Sequence, residues 1–137
     1  MKSPIASVDL IITKNNKILL GKVSDKWSNS GKYQWGLPGR EIELGDNFET
    51  TVKKNLKSEL GMKLKSFRVI CVNNNFGLGN HYIAIGILVT AEGTPEIKKP
   101  EDWKEWVWFE KNNIPKKLFP SAELTIRCFL ENKMSIK

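Results

Sequence analysis

One amphipathic segment, residues 46–60, restricts the fold of this chain more than any other feature. Its apolar residues recur at every fourth position, which places them on one helix face: Phe48, Val52, Leu56 and Leu60. Asp46 with Glu49 three residues later is typical of a helix N-terminus, where acceptor side chains satisfy free backbone N–H groups. Gly61 can supply the left-handed residue that ends the helix. The segment therefore predicts a helix with one buried stripe.

Period-two alternation and short apolar runs on both sides of this helix predict β-strands. Strands are expected at residues 5–13 and 18–23, joined by a turn, and then at residues 33–37, 41–44, 67–72, 81–90 and 105–109. Residues 73–80 are expected to be a connection, and Ser121 is expected to cap a last helix that ends near Lys133. This order predicts an α+β fold in which a mixed β-sheet is sandwiched between helices.

Size and composition exclude several classes of protein. With 137 residues the chain is predicted to be one domain, residues 1–137, with a core that needs no disulfide or structural metal. The net charge of +7 comes from lysines spread along the chain, which favours a solvated surface, so nucleic acid is not an expected partner. No run is long enough for a membrane span and no signal segment opens the chain, so a cytoplasmic location is expected. Cys71 and Cys128 are predicted to be buried free thiols.

A local motif lies just before and within the predicted helix. Trp35-Gly36-Leu37-Pro38-Gly39 is followed by residues whose spacing resembles the box of the Nudix family, hydrolases of nucleoside diphosphates linked to another group. The box region covers residues 39–62, with Arg40, Asp46 and Lys54 at the positions of a glycine, a glutamate and an arginine. A Trp-rich strand and a C-terminal helix extend the resemblance over nearly the whole chain. It implies the Nudix fold.

The resemblance also implies a metal site, and here the sequence departs from the family. The family's helix brings three carboxylates to one face, which hold one to three Mg²⁺ or Mn²⁺ ions on the diphosphate. Asn55, Ser58 and Glu59 stand at those positions, so only Glu59 is an acid. Mg²⁺ prefers charged oxygen ligands in strict geometry. The expected cofactor is therefore a weakly held single Mg²⁺ or Mn²⁺ ion, or none.

One branch of the family, the GDP-mannose hydrolases, resembles this chain in keeping only the last glutamate of the box. Those enzymes attack the sugar carbon with one magnesium, and their histidine base precedes the Trp-rich strand. Trp103, which cannot take a proton, stands in that place here, after Asp102.

The candidate site residues follow from the resemblance. Catalytic candidates are Glu59 and Glu43, and the metal ligands would be Glu59, the Gly39 carbonyl, and Glu101 or Asp102. Substrate-binding candidates are Arg40, Tyr82, His81, Phe76 and Trp103, because aromatic faces hold bases and a guanidinium can reach a phosphate. Each has an alternative: a surface ion pair for Glu43 and Glu59, a blocking role for Arg40, and packing or strand hydrogen bonding for the others.

Two functions are compatible with these residues. The first is a hydrolase of a nucleotide sugar or nucleoside triphosphate, divergent or impaired because two glutamates are replaced. The second is a non-catalytic nucleotide- or phosphate-binding module, or a protein-interaction domain, on the same fold. A nucleotide or nucleotide sugar is the expected partner, and a homodimer is left open.

Overall fold

The computed structural model describes residues 3–76 and 79–136 as a mixed sheet of seven strands with two helices. The strands are β1 (Ile5–Lys14), β2 (Lys17–Val23), β3 (Trp35–Gly36), β4 (Gly39–Glu41), β5 (Lys63–Asn75), β6 (Tyr82–Glu92) and β7 (Trp103–Glu110). Helix α1 (Phe48–Asn55) continues into a π-helical turn (Leu56–Leu60), and α2 (Pro120–Glu131) follows β7. The predicted α+β class with a mixed sheet is confirmed.

Strand β1 is the centre of the sheet. It pairs with β6 in parallel over Ile5–Ile12, and its alternating side chains enter two different cores. Val8, Leu10 and Ile12 pack against the α1 side, whereas Ile11 packs against the α2 side. The sheet is therefore sandwiched between the two helices.

The sheet splits beside β1, and this split creates the site. Only the last two residues of β1, Thr13 and Lys14, pair with β2. Residues 7–9 pair instead with the short strand β4. Strands β2, β3 and β7 therefore diverge from β1 at this end and leave space between the two parts of the sheet.

Both predicted helix starts are wrong in detail. Asp46 forms an ion pair with Lys54, and the side chain of Asn47 caps α1 by accepting the Thr50 N–H at 2.8 Å. The hydroxyl of Ser121 makes no cap bond because it donates to Asp9, and α2 begins with Pro120 at a position where a missing N–H costs nothing.

Two other predictions also need correction. Phe48 is 39% exposed, because α1 enters the core only from Val52 onward. Residues 73–75 belong to β5 and pair with β6. The amide of Asn73 is satisfied inside the protein, since it donates to Cys128 Sγ at 3.3 Å, so a polar residue fits a buried strand. Cys71 and Cys128 are buried free thiols as predicted.

Neither helix within residues 3–76 and 79–136 has the length and apolar character that a bilayer span requires.

Candidate functional site

The split in the sheet opens a cavity of about 320 Å³. This is within the roughly 300–1,000 Å³ range of small-molecule sites. Several predicted site residues line it together: Gly39, Arg40, Glu59, Tyr82, Asp102 and Trp103. Its other walls are mostly apolar and come from β1, β2 and the start of α2. The structure thus brings residues separated by more than 60 positions into one cavity.

A second cavity of about 290 Å³ adjoins the first and shares Gly39, Arg40, Glu41, Glu59 and Asp102 with it. It adds the two replaced box residues, Asn55 and Ser58, together with Glu43 and Lys99. Four carboxylates but only two cations line it, so its surface is acidic although the whole chain carries +7.

Glu59 lies between the two cavities and is only 7% exposed. Its Oε1 accepts the backbone N–H of Gly39 at 3.2 Å and the side-chain amide of Asn55. Its Oε2 accepts the indole N–H of Trp103 at 2.7 Å. Three donors from separate parts of the chain therefore hold both carboxylate oxygens.

The pKa of Glu59 is raised, chiefly because burial penalises the charged carboxylate. The hydrogen bonds from Trp103, Asn55 and Gly39 oppose that rise, and so does the positive charge of Lys99. The charge of Glu59 is thus compensated by groups of the protein itself.

The side chains of the two replaced box residues donate to backbone oxygens and to Glu59. Asn55 is fully buried, and its Nδ2 also donates to the Gly39 carbonyl at 3.2 Å. Ser58 Oγ makes a long contact of 3.5 Å with the Asn55 carbonyl oxygen. Asn55 Oδ1 is buried without a hydrogen-bond partner. The Asn55 amide thus donates to the two atoms, Gly39 O and Glu59 Oε1, that were expected to bind metal.

These residues do not fit a resident cluster of divalent ions. No group of three His, Cys, Asp or Glu side chains placed to hold a metal occurs within residues 3–76 and 79–136. Mg²⁺ needs free oxygen ligands. Here N–H donors occupy the one acid among the three box positions, and the buried oxygen without a hydrogen-bond partner beside it, Asn55 Oδ1, carries no charge.

Two glycines leave room for the indole ring of Trp103. A Cβ on Gly21 would lie 2.3 Å from its ring, and one on Gly36 would lie 3.3 Å from it. The ring also packs on Trp106, with centroids 4.6 Å apart. Two glycines on neighbouring strands therefore let the indole reach Glu59, which the sequence pattern alone did not indicate.

A second indole holds Asp102. Trp27 Nε1 donates to Asp102 Oδ1 at 2.7 Å, and Lys26 lies 3.8 Å from the same oxygen. The side chain of Glu101 is exposed and lines neither cavity, and its carbonyl oxygen accepts the Ser24 hydroxyl. Of the two alternative acidic ligands, only Asp102 therefore lies at the site.

Arg40 and Glu43 form an ion pair at the rim of the second cavity. Lys54 connects Glu43 at 3.5 Å to Asp46 at 2.6 Å, so the basic residue at the box arginine position retains a structural ion pair.

Tyr82 lines the larger cavity, whereas His81 and Phe76 line neither. His81 Nε2 is 2.8 Å from Asn74 Oδ1, and its ring stacks on Phe76 at 4.5 Å. Phe76 is 72% exposed. These two rings form a surface pair next to the first residue of β6.

Sequence reasoning missed Asp9. This residue of β1 lines the larger cavity, and its Oδ2 accepts the hydroxyls of Ser121 and, at 3.2 Å, Thr125. Burial raises the pKa of Asp9 to about 6, against the lowering effect of both hydroxyls. A carboxylate within the apolar run of residues 8–12 was the available signal, since charges in buried strands are rare.

Comparison with known proteins agrees with this architecture. The NUDIX domain family model matches residues 3–129. A protein of Methanocaldococcus jannaschii named ADP-ribose pyrophosphatase is 36% identical over 123 residues, which are 88% of this chain and 70% of that protein.

Solved structures show the same fold. The MutT NUDIX hydrolase from Burkholderia pseudomallei superimposes with a TM-score of 0.80 at 23% identity, over 92% of this chain and 98% of the other. An ADP-ribose pyrophosphatase from Streptococcus suis superimposes with a TM-score of 0.70 at 20% identity, over 93% and 89%. Such low identities show the fold alone. The family match over most of the chain shows that this protein belongs to the Nudix family, whose hydrolases act on nucleotides and generally use divalent metal ions.

Proposed function

We propose that this Nudix domain binds a nucleoside diphosphate linked to another group and that its metal-dependent hydrolysis is impaired. The observation that carries the proposal is the state of Glu59, whose two oxygens already accept three N–H donors. A divalent ion at Glu59 would have to displace the Trp103 indole or the Asn55 amide. Each displaced buried donor would cost about 1–3 kcal/mol.

The cavities support ligand binding. The larger one has the volume and the apolar and aromatic walls of a small-molecule site, with a few polar groups that can orient a ligand. Arg40 and Lys99 are the two cations at the adjoining cavity and are the groups that can face a diphosphate. ADP-ribose is the first ligand to test, because the Methanocaldococcus relative is named for it.

Hydrolysis with an ion that arrives together with the substrate is the second candidate. It is favoured by the carboxylates of Glu41, Glu43 and Asp102, which line the second cavity beside Glu59. These acids would repel a bare diphosphate, and a bound cation would relieve that repulsion.

One experiment separates the two functions. We would titrate the full chain with ADP-ribose, nucleotide sugars and nucleoside triphosphates by calorimetry, in Mg²⁺, in Mn²⁺ and in EDTA, and follow products by phosphorus NMR. The proposal expects binding of similar affinity with and without metal, and no product. Turnover that needs metal and is lost in Glu59→Gln would establish the second candidate. The absence of binding by every nucleotide would contradict both.

Restoring the missing charges provides a positive control. The triple variant Lys54→Arg, Asn55→Glu, Ser58→Glu removes the amide that caps Glu59 and adds two carboxylates beside it. Binding of ADP-ribose by this variant is expected to become dependent on Mg²⁺, with product formed. The matched control is Asn112→Glu with Asn113→Glu, which adds the same two charges at exposed positions outside both cavities.

A further inference from the structure

Among the carboxylates that line the larger cavity, only Asp9 lies outside the box region and accepts no indole N–H. Its side chain lies on the α2 side of β1, where the first turns of α2 cover it. Both hydroxyl donors, from Ser121 and Thr125, bond the same oxygen, Oδ2. An ionised carboxylate has about four lone-pair positions on two oxygens, so the group has acceptor capacity beyond these two bonds.

No basic side chain compensates Asp9. Within residues 3–76 and 79–136 no Lys, Arg or His lies within ion-pair distance of it. With a pKa of about 6, the carboxyl is mostly ionised at neutral pH in spite of its burial. An uncompensated anion at a cavity wall costs stability, which indicates a use in binding.

The surroundings of Asp9 restrict what it can bind. The apolar residues Leu37, Phe119 and Ala122 line the same cavity, and Trp27 and Tyr82 add aromatic rings. Such walls suit a flat ring. Gly39 keeps the approach open: a Cβ there would lie 3.0 Å from Asp9 Oδ1 and 2.4 Å from the Val8 carbonyl oxygen.

We propose that this cavity holds a nucleobase bearing an exocyclic amino group and that the Asp9 carboxylate accepts a hydrogen bond from that amino group. The inference rests on the proposed function, since it assigns one end of the same ligand. Asp9 is thereby a specificity-determining residue. A ring that presents only acceptor nitrogens would place lone pairs against the carboxylate and leave it unpaired.

Nucleosides without phosphate test this assignment directly. Calorimetry on the full chain would compare adenosine with purine riboside, which differs only in lacking the amino group, and with ADP-ribose. Adenosine is expected to bind at least about 10-fold more tightly than purine riboside, because a site built around a hydrogen bond rejects the analogue that lacks it. In Asp9→Ala, which removes both acceptor oxygens, this ratio is expected to fall below about threefold.

The matched control is Asp25→Ala, which removes a carboxylate that is 92% exposed and pairs with Lys104 outside both cavities. It is expected to keep the wild-type ratio. If Asp9→Ala does not fold, the wild-type ratio decides alone.

The two hypotheses fail in different ways. Binding of ADP-ribose with equal affinities for adenosine and purine riboside would overturn the role of Asp9 and leave the proposed function intact. A ratio that survives in Asp9→Ala would do the same. No binding of any nucleotide or nucleoside would overturn the proposed function together with the inference.

Discussion

Two carboxylates on either side of Gly39 differ in the kind of donor that holds them. Glu59 is surrounded by N–H groups, from the Gly39 backbone, Asn55 and Trp103, whereas Asp9 is bonded by two hydroxyls. Burial raises the pKa of both. An N–H can only donate, so the donors of Glu59 require its oxygens as acceptors. A hydroxyl can rotate and either donate or accept, so Asp9 can change protonation state or partner.

This difference suggests a division of labour within one cleft. Glu59 ties the box helix to β4 and to the start of β7, and its substitution should chiefly affect stability. Asp9 contributes little that folding needs and can chiefly affect binding.

Replacing Glu59 is expected to have the largest effect on stability. Glu59→Leu would leave three buried donors without an acceptor, with an expected loss of about 3–5 kcal/mol. Glu59→Gln keeps the shape but turns one N–H toward another donor, with an expected loss of about 1–3 kcal/mol. Urea unfolding at pH 7 measures both.

Glu49→Gln on the exposed side of α1 is the matched control and is expected to change the free energy of unfolding by less than about 0.5 kcal/mol. A loss of similar size in Glu59→Gln and Glu49→Gln would contradict the structural role of Glu59.

Asp9→Asn is expected to stabilise the protein in a pH-dependent way. Because folding raises the Asp9 pKa from 3.8 to about 6, the folded state binds this proton more tightly than the unfolded state. The stability due to Asp9 is therefore complete below pH 3.8 and is lost as the pH rises through about 6. The variant should gain up to about 3 kcal/mol relative to wild type between these limits.

Thermal unfolding of both proteins from pH 4 to pH 8 measures this gain. A difference that does not change with pH, or one that favours wild type at pH 8, would show that Asp9 is not an uncompensated buried anion.

Much of the fold, but only part of the candidate site, could be predicted from the sequence. The stripe and Gly61 predicted the box helix, and the motif spacing located Asn55, Ser58 and Glu59. The contact between Trp103 and Glu59 was not predictable, because it joins residues 44 positions apart through space left by Gly21 and Gly36. Such space depends on the register between strands, which local sequence patterns do not determine.

Residues that compete for one partner also limited the prediction. Asp46 fits the pattern of an N-cap, yet its carboxylate forms an ion pair with Lys54, and Asn47 caps the helix instead. Ser121 was likewise assigned to a helix end and instead bonds Asp9 on another element. The roles of Glu43, Arg40, Tyr82, His81 and Phe76, a homodimer and a cytoplasmic location stay predictions.

Removing one donor from Glu59 is expected to have a smaller effect. Trp103→Phe keeps an aromatic ring but loses the indole N–H, which lowers the Glu59 pKa in the wild type. The pKa should rise further in the variant, so its deficit should be larger at pH 8 than at pH 4, by about 1–2 kcal/mol. Trp106→Phe, which loses a bond to the Glu96 carbonyl instead, is the control and should show a deficit independent of pH.

The smallest expected effect is that of added metal on the free protein. A ligand that binds only the folded state raises stability by about 2.7 kcal/mol when present at 100 times its dissociation constant. If N–H donors saturate Glu59, 10 mM Mg²⁺ should move the unfolding midpoint by less than about 1 °C. EDTA should have no effect, whereas Asn55→Glu with Ser58→Glu should acquire a shift of several degrees because its added carboxylates repel one another until a cation binds. A clear Mg²⁺-dependent rise in the unfolding midpoint of the wild type that disappears in Glu59→Gln would mean that an ion displaces the Trp103 indole and the Asn55 amide from Glu59. Glu59 would then be a metal ligand, and the difference between Glu59 and Asp9 would be in what each binds and not in the donors that hold it.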